Sequence, residues 1–149
     1  MTIGAICNHE IITVRRDATV SHVAMLMRQH HVGDVVVIED RMNKIVPIGI
    51  VTDRDVIVEV IATELDCSVI TAGDIMVTKL AVVKDSAGVF EGIQLMTGKG
   101  VRRLPVVDDS GSLIGIVTLD DLLQLLAKEF GALSKLVARE QKNEVAKRR

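Results

Sequence analysis

Thr52 and Asp55 stand three residues apart, and Thr118 and Asp121 repeat the arrangement. At the start of a helix this spacing projects a hydroxyl and a carboxylate to the same side, beside the free N–H groups of the first turn. A carboxylate accepts two hydrogen bonds from a vicinal diol such as ribose, while a threonine hydroxyl and a helix N-terminus donate to phosphate oxygen. The same Thr-x-x-Asp spacing is also a capping box, in which both side chains serve only the helix's own N–H groups. Spacing alone leaves both readings open.

Other chemistry-bearing residues form weaker patterns. His30 and His31 are adjacent at a helix end and point apart, His9 and His22 are scattered, and no metal site is expected of them. Asp53 with Asp55, or Asp120 with Asp121, could serve as paired carboxylates, but no His, Ser or Lys constellation accompanies either pair. Through water they could hold Mg²⁺ carried in on a nucleotide. With no nucleophile, Walker-type glycine loop or dinucleotide fingerprint, no enzyme activity, catalytic residue or required cofactor is expected.

The elements that must position these residues come as two copies. GIVTDRD at 49–55 returns as GIVTLDD at 115–121. A shift of 69 residues lays Ile6 on Ile75, Val14 on Val83, Val20 on Val89, Met27 on Met96 and Val37 on Val106. The shift drops to 66 after the second strand, because the turn at 39–47 is longer than that at 108–112. Each copy reads strand, helix, strand, strand, helix. In the first these are 11–14, a helix with the stripe Val20, Val23, Ala24 and Met27 capped by Thr19, strands 35–38 and 48–51 about a polar turn at 39–44, and a helix from Asp53 to about Thr63. The second gives 80–83, the stripe Val89, Gly92, Ile93 and Met96, strands 104–107 and 113–117, and a helix from Leu119. The β-branched run 56–61 is a poor helix former, and its alignment with 122–127 decides its assignment. Domains are expected at 6–64 and 75–130, with a linker at 65–74. A helical, basic C-terminal tail at 131–149 should lose order after the late 130s; its last fifteen residues carry six basic side chains against two acidic ones.

Composition narrows the class. The 149 residues are 48% hydrophobic and 26% charged, as in a globular protein, and the net charge of -2 argues against a dominant nucleic-acid surface. Phe90 and Phe130 are the only aromatic residues, too few for a base-stacking platform. Cys7 and Cys67 follow no metal-ligand spacing and build no disulfide framework. Neither a signal segment nor a run of about 18 apolar residues occurs, so no membrane association is expected and a cytoplasmic location is.

The element order, the run GVRRLPVVD at 100–108 and the two GIVTxxD segments resemble a tandem pair of CBS domains, a Bateman module. The pattern is similar to small stand-alone bacterial CBS-pair proteins of signal-transduction type. The resemblance implies an α+β fold of two pseudo-symmetric β-α-β-β-α repeats. It also implies clefts shared between repeats that bind an adenosyl ligand. Carried onto this sequence, site A combines Ile50, Thr52 and Asp55 with Leu80, Ala81, Val101, Arg102 and Arg103. Site B combines Ile116, Thr118 and Asp121 with Ile12, Thr13, Val32, Gly33 and Asp34. Arg102 and Arg103 would give site A two guanidinium groups for phosphate, whereas Asp34 would repel phosphate from site B.

The resulting expectation is a regulatory adenine-nucleotide sensor, taking AMP, ADP, ATP, NAD or S-adenosylmethionine and acting through a change of shape or dimer packing. A homodimer is expected, with an effector protein as a further partner. Two other readings remain: a scaffolding CBS pair with empty clefts that binds a protein partner, and a nucleotide-processing enzyme.

Overall fold

A computed structural model describes residues 1–148. The chain is mixed α+β and divides into two units, Met1–Val117 and the segment from Thr118 onward. Among the described residues no helix is long and apolar enough to cross a membrane.

The first unit holds two three-stranded sheets, one from each repeat. After a short helix α1 (Ile3–Ile6), the first repeat runs β1 (Thr13–Arg15), α2 (Val20–His30), β2 (Asp34–Arg41), β3 (Lys44–Thr52) and α3 (Asp53–Val56). The second runs α4 (Ala72–Ile75), β4 (Val83–Lys84), α5 (Val89–Lys99), β5 (Arg103–Val107) and β6 (Leu113–Thr118). In each sheet the first strand pairs parallel with the second, Val14 with Val37 and Val83 with Val106.

Several boundaries differ from the sequence expectation for physical reasons. The opening strands are shorter and later than 11–14 and 80–83, because Ile11 and Leu80 leave the sheets to pack with Val36, Ile38, Ile50 and Ile116 in an apolar cluster drawn from both repeats. Ala24 is exposed and Leu26 packs on the core in its place. The hairpin is longer than expected, since Met42 and Asn43 both take positive φ (50° and 64°) and turn the chain in two residues. That turn type matches the twist of the flanking strands and lets pairing continue to Arg41 and Lys44. After α3 the β-branched run does not continue as regular α-helix. It winds into a π turn at Ile57–Ile61, with Ala62 N–H donating to Ile57 O at 2.8 Å, and the chain leaves through Glu64 at positive φ.

The two lead-in segments are exchanged between repeats. Residues of α1 bond to the second repeat, Ile3 N to Ala87 O at 2.8 Å and Gly4 N to Asp85 O at 2.9 Å. Residues of α4 bond to the first, Ala72 N to Ala18 O at 2.7 Å and Gly73 N to Arg16 O at 2.9 Å. Single bridges then add Asn8 beside Ile116 and Val77 beside Ile50. This exchange explains a glycine in each signature heptapeptide. A Cβ on Gly49 would lie 2.5 Å from Met76 Sδ, and one on Gly115 would lie 2.6 Å from Cys7 Sγ.

The second unit is one helix, α6 (Leu119–Lys147), capped by Thr118. It passes Gly131 without interruption and extends well beyond the late 130s, where the sequence suggested a loss of order.

Candidate functional site

The eight residues assigned to site A line one cleft of about 340 Å³. That lies within the ~300–1,000 Å³ of small-molecule sites. Thr52 closes β3 and caps α3, Asp55 sits in the first turn of α3, Leu80 and Ala81 approach β4, and Val101–Arg103 lead into β5. The exchanged lead-in adds Val77 and Lys79, and the first turn of α3 adds Asp53 and Arg54. Sequence reasoning did not place these last four residues in the site. The bridge between Val77 and Ile50 brings the lead-in to the cleft, a long-range pairing that the heptapeptides do not announce.

The charge balance follows from the lining. Arg54, Lys79, Arg102 and Arg103 contribute four cations against Asp53 and Asp55, a surplus of two positive charges. Ile50, Val77, Leu80, Ala81 and Val101 supply an apolar wall. The cleft therefore offers apolar surface for a flat ring, with cationic groups for an anion.

Thr52 and Asp55 also form a complete capping box. Thr52 N–H donates to Asp55 Oδ2 at 2.9 Å, and Asp55 N–H donates to Thr52 Oγ1 at 3.2 Å. Asp55 Oδ1 accepts no hydrogen bond among the described residues, and the Thr52 hydroxyl still has its proton to donate. Capping and ligand contact are thus compatible. A third Thr-x-x-Asp, with Thr71 ahead of α4 and Asp74 in its first turn, makes the same backbone bond at 2.9 Å yet lies outside the cleft lining. The motif alone therefore does not mark a cleft.

Asp34 changes the charge expectation. Rather than standing alone at site B, its Oδ2 lies 3.2 Å from Arg103 Nε, within ion-pair reach. The angle is too poor for a hydrogen bond, so the buried Nε–H of Arg103 lacks an acceptor. Burial raises the Asp34 pKa, Arg103 lowers it, and the neighbouring Asp53 carboxylate raises it again, with a net upward result. Asp34 is therefore neutralised in part by the arginine assigned to site A. The simple division into a phosphate-attracting and a phosphate-repelling site does not hold.

Of the other site B residues, Ile12 O accepts from Val36 N–H at 3.0 Å and Thr13 lines a separate hollow with His22 and Ile38. Val32 and Gly33 lead into β2, where Gly33 O accepts from Asp53 N–H at 2.9 Å, and Ile116 lies in β6. In the second unit, Thr118 N–H donates to Asp121 Oδ2 at 2.9 Å and Asp121 N–H to Thr118 Oγ1 at 3.2 Å, a capping box matching that of α3.

A model of the CBS domain matches residues 3–62 and again 72–128. The chain belongs to the CBS-domain family. Protein MK0525 of Methanopyrus kandleri is 38% identical over 125 residues, which cover 84% of this chain and 62% of that relative. The CBS domain-containing protein YhcV of Bacillus subtilis is 34% identical over 113 residues, 76% of each chain. Among solved structures, hypoxic response protein I with two coordinated zinc ions superposes with a TM-score of 0.72 at 30% identity, covering 83% of this chain and 98% of that one. CBSX2 in complex with AMP gives 0.71 at 26% identity, covering 85% and 96%. Among the described residues of this CBS pair, no three His, Cys, Asp or Glu side chains gather as a metal site would require.

Proposed function

We propose that the CBS pair is a regulatory module that binds an adenine nucleotide in the cleft of Thr52 and Asp55. The observation that carries this reading is the convergence of all eight expected residues on one cleft with a cationic surplus. Asp55 Oδ1 and the Thr52 hydroxyl suit ribose hydroxyls. Arg54, Lys79 and Arg102 suit phosphate, and the apolar wall suits adenine. The AMP complex of the structurally similar CBSX2 supports the ligand class. AMP, ADP, ATP and NAD share these features, with Mg²⁺ entering only as the nucleotide's own ion.

Regulation would follow from differential affinity for two arrangements of the module, in a cytoplasmic homodimer whose signal passes to an effector protein. No bond is made or broken in this scheme.

A thermal-denaturation panel with AMP, ADP, ATP, NAD and S-adenosylmethionine tests it. A ligand that binds only the folded state, present at about 100 times its dissociation constant, stabilises by about 2.7 kcal/mol. No response to any of the five at millimolar concentration would overturn the reading in favour of a scaffolding pair; consumption of a nucleotide would favour an enzyme.

A further inference from the structure

Every residue of α6 from Ala127 to Lys147 is exposed. Such a stretch of helix in water gains little from propensity alone and owes its stability in proteins to burial of an apolar face. That face exists. Leu119, Leu123, Leu126, Phe130, Leu133 and Val137 recur at alternating steps of four and three, the a/d seam of a coiled coil, and Lys128, Lys135 and Lys142 recur every seven residues on the opposite side. Leu123, Phe130, Leu133, Leu136 and Val137 are each more than half exposed. The seam is narrow, as helix-on-helix packing requires, and it ends in charge: its next two positions are Glu140 and Glu144.

We propose that this seam packs against the same helix of a second copy of the chain, antiparallel, with the two-fold axis near Lys128. In that register Leu119 meets Val137 of the other copy, Leu123 meets Leu133, and Leu126 meets Phe130, so each a position faces a d position and every apolar residue of the seam is matched. An isologous two-fold contact requires this self-complementarity. Charge decides the direction. A parallel, in-register pair would set Glu140 against Glu140 and Glu144 against Glu144 inside the seam. The antiparallel pair carries both glutamates past the end of the seam. Its one like-charge approach is Glu129 to Glu129, at the solvated flank.

Thiol cross-linking of the full chain, with linked peptides mapped by mass spectrometry so that Cys7 and Cys67 are distinguished, reads the geometry directly. Ala127 flanks the axis and should lie beside its own counterpart, so Ala127→Cys should cross-link between copies in high yield. The two Val137 positions would be about 27 Å apart at 1.5 Å rise per residue, and Val137→Cys should stay unlinked with a shorter reagent. Glu129→Gln should raise the Ala127→Cys yield, and Leu133→Glu should lower it together with helicity by circular dichroism. Cross-linking at 137, whether alone or alongside 127, overturns the antiparallel register. No cross-linking at either position overturns self-pairing, as does a gain of helicity only on anionic vesicles. None of these readouts involves a nucleotide, so the outcome is independent of the cleft assignment.

Discussion

Arg103 Nε lies 3.2 Å from Asp34 Oδ2, so the residue that opens β5 in one repeat is paired with the residue that opens β2 in the other. Arg103 also lines the cleft, so a bound phosphate and Asp34 would compete for one guanidinium. Removing the Asp34 charge should free Arg103 for the ligand. Asp34→Asn is expected to tighten binding of a phosphate-bearing nucleotide several-fold, about 1 kcal/mol, the scale of a partly exposed ion pair. Arg103→Ala should weaken it, by at most the ~1.5–3 kcal/mol of a charged hydrogen bond. Calorimetry on both variants and the double variant checks the coupling. Strictly additive effects would mean that Asp34 does not compete.

The same pair makes a signed prediction about pH. Burial and Asp53 together outweigh Arg103, so the folded-state pKa of Asp34 lies above its unfolded value of about 3.9. A raised pKa means that the folded state binds the proton more tightly. The contribution of Asp34 to stability is therefore fully present below pH ~3.9 and declines as pH rises through the folded-state pKa. Relative to Asp34→Asn, the wild type should lose stability across that window and hold constant above it, measured by urea unfolding at a series of pH values. A relative gain on going up in pH would show that the Arg103 attraction dominates instead.

Much of this was legible in the sequence because it repeats: the offset that aligns Val14 with Val83 also aligns α2 with α5, residue for residue. The lining of the cleft could be anticipated for a narrower reason: Thr52 and Asp55 stand in a local motif, whereas Leu80, Ala81 and Val101–Arg103 follow only from the resemblance to a CBS pair. What stayed hidden depends on long-range pairing. Nothing local says that α1 bonds to the second repeat and α4 to the first, and so Val77 and Lys79 went unassigned. Nor does spacing show that Asp34 lies within reach of Arg103, 69 residues away. The π turn at Ile57–Ile61 was half visible, in a β-branched run that propensity disfavours and that alignment with 122–127 masked.

The exchanged lead-ins make the two signature glycines unequal. An alanine Cβ at Gly49 would press on Met76 Sδ and Cγ at 2.5 and 2.8 Å, which rotation about χ1 can move, and on its Cβ at 3.0 Å, which needs a small shift of the lead-in. At Gly115 it would meet Cys7 Sγ at 2.6 Å and the Asn8 carbonyl at 3.0 Å, and that carbonyl is held by Ile116 N–H at 2.9 Å. Gly115→Ala should therefore cost about 1–3 kcal/mol, the range for overpacking a core, and Gly49→Ala less. Denaturant midpoints of the two variants decide; equal losses would mean that the Asn8 bridge yields as easily as a methionine.

The three Thr-x-x-Asp boxes allow capping and the proposed ligand binding to be tested separately within one molecule. Asp55 and Asp74 each accept a bond from the N–H of the threonine three residues before, both at 2.9 Å, but only Asp55 lines the cleft. Disrupting a helix cap by alanine costs ~0.5–2 kcal/mol, so Asp55→Ala and Asp74→Ala should lower the stability of the ligand-free protein by similar amounts. Only Asp55→Ala should then abolish most of the further stabilisation by a nucleotide, because it alone removes the carboxylate oxygen left for ribose. Thermal denaturation of the three proteins, with and without the best ligand of the panel, gives both quantities in one experiment. If Asp74→Ala loses the ligand response as fully as Asp55→Ala, the response reflects general weakening of the fold. If neither loses it, Asp55 serves its helix alone and the ligand is held elsewhere.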